Sequence, residues 1–327
     1  MTKTRDYFFD NYKALLIIFV IIGHFVQPCV NNNNLLHTVK LLIYAFHMPA
    51  FIFVSGYFSK KNAPLNKLIQ KVLIPYLSFE LIYYCFYTYV IGKETRIALL
   101  YPKFSLWYLL ALFIWKLITP YVKKIPHYMV ITIALGLIIG LLPVKGSFLS
   151  ISRVCVFYPY FLAGTLFTKE QIAPYQNKRG RMISTALIGA FVLFLAFGFE
   201  AVGFSNLIFH GRYRYVTMHQ GPIEGMLIRL LAYGIGFFLT YAFAILIPEN
   251  KNVFSRLGEA TMAIYLFHGL TFKYLDDCTD LIDRVNTIPE TLLFFALCVG
   301  LAFFFSLKPF QSFVNIFSNV KIPELKK

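Results

Sequence analysis

Three histidines lie inside apolar blocks of the sequence, where an unpaired polar group would cost several kcal/mol. His24 stands about 12 residues into the first block, His47 about 12 into the second and His268 about 10 into the ninth, which places each about 15 to 18 Å deep if the blocks are helices. We therefore expect all three near one membrane midplane. Histidine can accept a proton from a hydroxyl and return it, which suits acyl transfer. The alternative is that each imidazole is a neutral hydrogen-bonding group at a helix interface.

A cation accompanies the first of these histidines. Lys13 stands eleven residues before His24, which is within about 20° of three helical turns, so both side chains project from one face about 16 Å apart. This arrangement suits a ligand with an anionic head at the membrane surface and a long reactive arm, such as an acyl-CoA. Alternatively, Lys13 only extends to the lipid headgroups. The loop after the second block adds four lysines that could hold phosphates, or that belong to an ordinary cytosolic loop: Lys60, Lys61, Lys67 and Lys71.

Two further charges, Glu80 and Arg153, stand several residues inside apolar blocks. They belong either to a polar cavity or to structural ion pairs. A later hydrophilic segment, roughly 201–227, mixes cations with aromatic residues, as a surface that contacts sugars does and as a solvated loop also does. Its polar and aromatic residues are His210, Arg212, Tyr213, Arg214, Tyr215 and His219.

Helices that cross a membrane must position these side chains. Of 327 residues, 58% are hydrophobic and 14% are charged, whereas a soluble domain carries roughly 25% charged residues. The apolar residues fall into ten blocks of membrane-spanning length. We therefore predict an all-α, polytopic helical bundle with about ten transmembrane helices, forming a single domain over residues 1–327. The blocks are residues 12–30, 35–58, 72–92, 105–122, 128–144, 148–168, 182–200, 228–247, 258–275 and 290–309.

The positive charge is distributed unequally between the two sides of these blocks. The side with both termini carries nineteen Lys and Arg residues and the other side eight, with four inside blocks. The positive-inside rule then places both termini in the cytosol and excludes nucleic acid as the reason for the net charge of +16. The five cysteines show no CxxC pair and no metal-ligand spacing, so no metal is expected.

The order of the motifs resembles a known family. The run from Arg5 to Lys13 that leads to His24 is similar to the start of the acyltransferase family 3 membrane proteins, including fucose 4-O-acetylase-like enzymes that O-acetylate bacterial surface sugars. In that family a basic residue stands at the spacing of Lys13 from His24, with Arg also usual. The resemblance continues, in the same order, through residues 45–51, 53–57, 106–109, 153 with 158–164, and 257–258 with 264–268.

The resemblance implies a ten-helix enzyme of the plasma membrane that moves an acetyl group from cytosolic acetyl-CoA to a carbohydrate hydroxyl. His24 would be the catalytic histidine, with His47 and His268 shaping the site. The donor would be held by Lys13, Lys67, Lys71 and Arg153, without a metal. A ternary complex is the expected mechanism and an acetyl-His24 intermediate the alternative, while Ser55 is a weaker acyl carrier because no base is adjacent in sequence.

A different class of function remains open at this point. A transporter or flippase of glycans would also need many helices and midplane polar groups, but we find no internal repeat and one deep acid, Glu80. A purely structural or signalling membrane protein would leave the three histidines unexplained.

Overall fold

A computed structural model of the protein describes residues 5–31, 33–144, 146–203 and 205–321. Lys3, Lys145, Lys326 and Lys327, which entered the charge count, lie outside these ranges. Over the described residues the regular structure is helical, with no strand. The α-helices are α1 Tyr7–Phe25, α2 Asn34–Tyr57, α3 Leu65–Leu68, α4 Ile74–Cys85, α5 Trp107–Val122, α6 Tyr128–Ile138, α7 Ile151–Leu166, α8 Lys178–Phe197, α9 Phe199–Val202, α10 Pro222–Leu246, α11 Ser255–Glu259, α12 Thr261–Cys278, α13 Ile288–Phe305 and α14 Lys308–Ser318.

All ten apolar blocks coincide with helices in the described part of the chain. Seven of these helices are long and apolar enough to cross a membrane: α1, α2, α5, α7, α8, α10 and α13. The other three depart from a simple span. The block at 72–92 combines α4 with π-helical turns at Ile69–Leu73 and Phe86–Ile91, α6 has 11 residues, and α12 carries Lys273, Asp276 and Asp277 near its end. The predicted all-helical polytopic membrane architecture is confirmed.

The first helix begins and ends five residues earlier than its apolar block. Asp6 caps α1, because its side chain accepts a hydrogen bond from the backbone N–H of Phe8 at 3.2 Å. The helix stops at Phe25, and Pro28 then begins a 3-10 turn. Hydropathy located the apolar centre of the helix, whereas the cap decided where it starts.

The chain forms two compact units. Unit 1 contains Met1–Phe51, Thr168–Gly203 and Gly236–Gln311. Within it α1 packs against α11 so closely that a Cβ on Gly258 would lie 1.9 Å from the carbonyl oxygen of Asp10. The Tyr12 hydroxyl donates to the Thr240 carbonyl at 2.7 Å, which fixes α1 to α10. Buried backbone-directed hydrogen bonds of this kind set the position of α1 in unit 1.

Unit 2 contains Ile52–Phe167, Phe204–Ile235 and Ser312–Lys327. Here Gly56 of α2 and Gly164 of α7 allow two helix backbones to approach, since a Cβ on Gly56 would lie 2.0 Å from the Phe161 carbonyl oxygen. The indole N–H of Trp115 donates to the Val154 carbonyl at 2.9 Å and joins α5 to α7. The prediction of a single domain stays a prediction.

Candidate active site

Two of the three predicted histidines come together in unit 1. The rings of His24 in α1 and His268 in α12 have centroids 5.4 Å apart at an interplanar angle of 34°. His268 is fully buried, while His24 is part-exposed. Phe272, one turn beyond His268, places its ring 6.1 Å from His24. The structure therefore gives His24 an aromatic and imidazole wall on one side.

Hydrogen bonding assigns the tautomer of His268. Its Nδ1 lies 3.2 Å from the Ile264 carbonyl oxygen, and a carbonyl can only accept, so in the neutral ring Nδ1 carries the hydrogen. The Nε2 atom then keeps the lone pair and acts as an acceptor. A buried imidazole held in one tautomer and orientation by its own helix is a fixed neighbour for His24.

The third histidine, His47, is buried and held within its own helix. Its Nδ1 lies 2.6 Å from the Ile43 carbonyl oxygen, and its ring lies 5.3 Å from that of Tyr44. Tyr44 in turn accepts a hydrogen bond from the Gln27 side chain, just beyond the end of α1. The sequence analysis missed Gln27 and Tyr44, although each stands three residues from a predicted histidine and therefore near the same helix face.

Gly23, which precedes His24, shows which part of α2 lies beside His24. A Cβ on Gly23 would lie 2.9 Å from Cγ2 of Ile43, so α1 and α2 touch where His24 leaves α1. His24 is the second-to-last residue of α1 rather than about twelve residues into it. The early start of the helix accounts for this difference.

Lys13 occupies the same helix as His24, as the spacing predicted, and it is part of a charge cluster formed by Arg5, Asp10, Lys13 and Glu259. The Lys13 ammonium lies 3.0 Å from Oδ1 of Asp10, whose side chain is 7% exposed. The Arg5 Nε–H donates to Oδ2 of Asp10 at 2.6 Å, and Arg5 Nη2 lies 3.1 Å from Glu259. The hydrogen bond to Asp10 raises the pKa of Arg5. Sequence analysis missed Asp10, although it stands three residues before Lys13.

The other predicted donor-binding residues lie in unit 2. Lys67 and Lys71 are exposed, and the Lys71 ammonium donates to Oδ1 of Asn319 at 2.7 Å. The Arg153 guanidinium stacks 4.6 Å from the Trp107 ring, and its Nε–H donates to the His210 carbonyl at 3.3 Å. Arg153 thus connects α7 to the segment that follows α9.

Glu80 has the structural ion pair that was one of its two predicted roles. It is 1% exposed, accepts the backbone N–H of Lys103 at 2.6 Å and lies 3.3 Å from the Lys103 ammonium. Ser55 shares a hydrogen bond of 2.5 Å with the Tyr108 hydroxyl. Tyrosine is a poor base at neutral pH, so this contact does not activate Ser55 for acyl transfer.

A buried arginine organises the segment between α9 and α10 in unit 2. Arg229 is 2% exposed and donates to the carbonyls of Gly136 and Tyr213, each at 3.1 Å. Its guanidinium lies 4.5 Å from the Tyr215 ring, whose hydroxyl donates to the Leu137 carbonyl at 2.7 Å. This segment is therefore folded onto α6 and is not simply a solvated loop.

Comparison with known proteins defines the family. Residues 6–307 match the family model described as an acyltransferase domain. The chain belongs to acyltransferase family 3. It is 25% identical over 305 residues to the nodulation protein NolL of Mesorhizobium japonicum, a match that covers 84% of this chain and 79% of the relative. It is 24% identical over 302 residues to NolL of Sinorhizobium fredii, covering 84% and 80%. No solved structure matches the chain.

The family and the helices together make the protein a membrane acyltransferase. The family resemblance inferred from the sequence motifs is thereby confirmed. In the described residues, no group of three or more His, Cys, Asp or Glu side chains could hold a metal ion.

Proposed function

We propose that the protein is an O-acetyltransferase that moves an acetyl group from cytosolic acetyl-CoA to a hydroxyl of a cell-surface sugar. The observation that carries the proposal is the ring pair of His24 and His268, 5.4 Å apart inside a membrane acyltransferase. The chain would lie in the plasma membrane with both termini in the cytosol, as its charge distribution favours.

In this proposal His24 is the general base. It takes the proton of the sugar hydroxyl while the hydroxyl oxygen attacks the thioester carbonyl. The new C–O bond forms, the C–S bond breaks, and the His24 imidazolium returns the proton to the leaving CoA thiolate. General acid–base catalysis of this kind contributes about 10² to 10⁴ in rate. A direct transfer in a ternary complex needs no acyl-enzyme, and an acetyl group on His24 is the alternative route.

His268 influences which of the two imidazoles carries the proton during transfer. Two imidazolium charges 5.4 Å apart would repel by about 3 kcal/mol at an effective dielectric constant of about 20. The pair therefore holds one extra proton. Because His268 is fully buried whereas His24 is part-exposed, the positive charge costs less on His24, and the transferred proton remains there.

For the donor, we propose that Lys13, Lys67 and Lys71 contact the phosphates of acetyl-CoA. Exposed ammonium groups such as Lys67 and Lys71 suit phosphates as point charges. Lys13 must give up part of its pairing with Asp10 to do so. The phosphate role predicted for Arg153 stays a prediction, since its described contacts are with Trp107 and the His210 carbonyl.

Transport is less well supported than acyl transfer. The carboxylate that a transporter could use to couple an ion, Glu80, is already paired with Lys103.

The direct test measures acetyl transfer from radiolabelled acetyl-CoA into cell-envelope glycan. Membranes with the native protein are compared with membranes containing His24→Ala at matched expression. We expect the native protein to incorporate label and His24→Ala to lose at least about 100-fold of the rate, while still binding acetyl-CoA. Full transfer by a folded His24→Ala variant would refute the assignment of the base.

A further inference from the structure

A cavity of about 450 Å³ lies in unit 1 between the beginning of α2 and the end of α8. Ligand sites of small molecules usually measure about 300 to 1,000 Å³ and combine apolar walls with a few polar groups. The polar residues that line this cavity are Asn34, His37, Thr38 and Glu200, and the Thr38 hydroxyl donates to the Asn34 carbonyl at 3.0 Å. Phe197 lines the same cavity and is 85% exposed.

These groups match the chemistry of a sugar. Amide, hydroxyl and imidazole groups can both donate and accept hydrogen bonds, and an ionised carboxylate accepts them, as an array of sugar hydroxyls requires. An exposed aromatic ring supplies the flat apolar surface on which the C–H face of a sugar ring can pack. None of the nine described residues that line the cavity is Lys or Arg, and one is a carboxylate. The cavity therefore disfavours an acidic sugar by charge repulsion.

The cavity also has a defined position relative to the histidine pair. The contact between Gly23 and Ile43 sets the level of His24 on α2. Asn34 and Thr38 precede Ile43 by nine and five residues, which at about 1.5 Å per residue is about 8 to 14 Å along the helix axis. By the charge distribution, this direction leads to the outer face of the membrane.

We propose that this cavity, lined by Asn34, His37, Thr38, Phe197 and Glu200, binds a neutral sugar of the acceptor glycan from the outer side. The inference rests on the proposed function, because it names the acceptor site of that reaction. A glycan held here by one sugar presents the hydroxyl of another of its sugars toward His24, about 8 to 14 Å deeper along α2.

The first experiment tests access and binding without requiring catalysis. Leu35 lines the cavity and is 54% exposed, and Leu35→Cys keeps the four polar groups. The full-length chain carries Cys85→Ser and Cys278→Ser, since these native cysteines are exposed. Intact cells are treated with a membrane-impermeant maleimide, with Lys178→Cys as the cytosolic control. We expect Leu35→Cys to be labelled in intact cells and Lys178→Cys only after permeabilisation. Labelling of Leu35→Cys only in permeabilised cells would overturn the outward direction.

Protection by sugars follows on the purified protein in lipid nanodiscs. The probes are the neutral and the acidic oligosaccharide fractions released from the envelope glycan of the same cells. The neutral fraction should slow maleimide labelling of Leu35→Cys at least about tenfold more than the acidic fraction does. Equal protection by both fractions, or by neither, contradicts a site for neutral sugar.

The second experiment separates this inference from the proposed function. Glu200→Gln removes a charged hydrogen-bond acceptor, so KM for the glycan should rise about tenfold, with kcat and KM for acetyl-CoA unchanged. The matched control is Glu224→Gln, at the start of α10 and outside the cavity, which should keep native values. Native transfer with an unchanged glycan KM in Glu200→Gln refutes the sugar site and leaves the acetyltransferase standing. If the native protein transfers no acetyl group, protection by the neutral fraction still reports the site.

Discussion

Asp10 offers a direct test of whether Lys13 holds the donor. Its carboxylate lies 3.0 Å from the Lys13 ammonium and 2.6 Å from Arg5 Nε. A CoA phosphate that binds Lys13 must therefore compete with this carboxylate and is repelled by it. Asp10→Asn keeps the size of the side chain and its ability to form hydrogen bonds, and it removes the negative charge. We expect this variant to bind acetyl-CoA more tightly than the native protein does.

The magnitude follows from the geometry of the pair. At 3.0 Å the Coulomb energy of two unit charges is about 5 kcal/mol at an effective dielectric constant of about 20. The Lys13 side chain is 20% exposed, so water screens the pair and the net value lies between that of exposed and that of buried ion pairs. We take about 1 to 2 kcal/mol as the net free energy of the pair. Its removal corresponds to a dissociation constant for acetyl-CoA lowered about 5-fold to 30-fold.

The assay is isothermal titration calorimetry of acetyl-CoA with the purified protein in nanodiscs. The gain in affinity of Asp10→Asn for acetyl-CoA should shrink as the ionic strength rises from about 0.01 M to about 0.15 M, because the Debye length falls from about 30 Å to about 8 Å. Lys13→Gln should weaken binding instead. Asp6→Asn is the matched control: Asp6 pairs with Lys169 at 3.3 Å, and asparagine caps a helix as well as aspartate does. A folded Asp10→Asn variant that binds acetyl-CoA no more tightly than the native protein would refute the phosphate role of Lys13.

Two further predictions concern the packing that supports the site. Gly258→Ala should lower the thermal midpoint of the detergent-solubilised protein by several degrees, because the new Cβ would lie 1.9 Å from the Asp10 carbonyl oxygen. The control is Gly300→Ala, which should not lower the midpoint because nothing lies within 4 Å of its Cβ position. Equal midpoints for both variants would contradict the close packing of α1 and α11. Glu80→Gln should destabilise the protein by about 1 to 3 kcal/mol in urea or thermal unfolding, because the Lys103 ammonium loses its buried partner. The folded fraction of this variant should bind acetyl-CoA as tightly as the native protein does. A selective loss of acetyl-CoA binding would instead place Glu80 in the donor site.

Local features of the candidate site could be predicted from the sequence. Lys13 and His24 lie on one helix, because helical periodicity depends only on their spacing. The pairing of Lys13 with Asp10 could have been predicted in the same way, since residues three apart on a helix are neighbours. The depth of His24 was harder to estimate, because the cap at Asp6 shifts the start of α1 by five residues.

Contacts between distant parts of the chain could not be predicted in this way. His24 and His268 were expected at a similar depth, but depth alone does not choose which helices face each other. In the structure His268 lies beside His24, whereas the described contacts of His47 are with Ile43 and Tyr44 of its own helix. The cavity between α2 and α8 likewise joins residues about 160 positions apart that no motif connects.

The sequence by itself determined that this protein is an all-helical membrane protein of an acyltransferase family. Block length, charge asymmetry and motif order are properties of the chain that hold for any arrangement of the helices. The tertiary structure alone decided that His24 meets His268 and that Glu80 pairs with Lys103. The physical reason is that lipid is as apolar as the helix surfaces, so partners are chosen by close backbone approach and specific hydrogen bonds. Two such close backbone approaches are those of Gly258 to Asp10 and of Gly56 to Phe161.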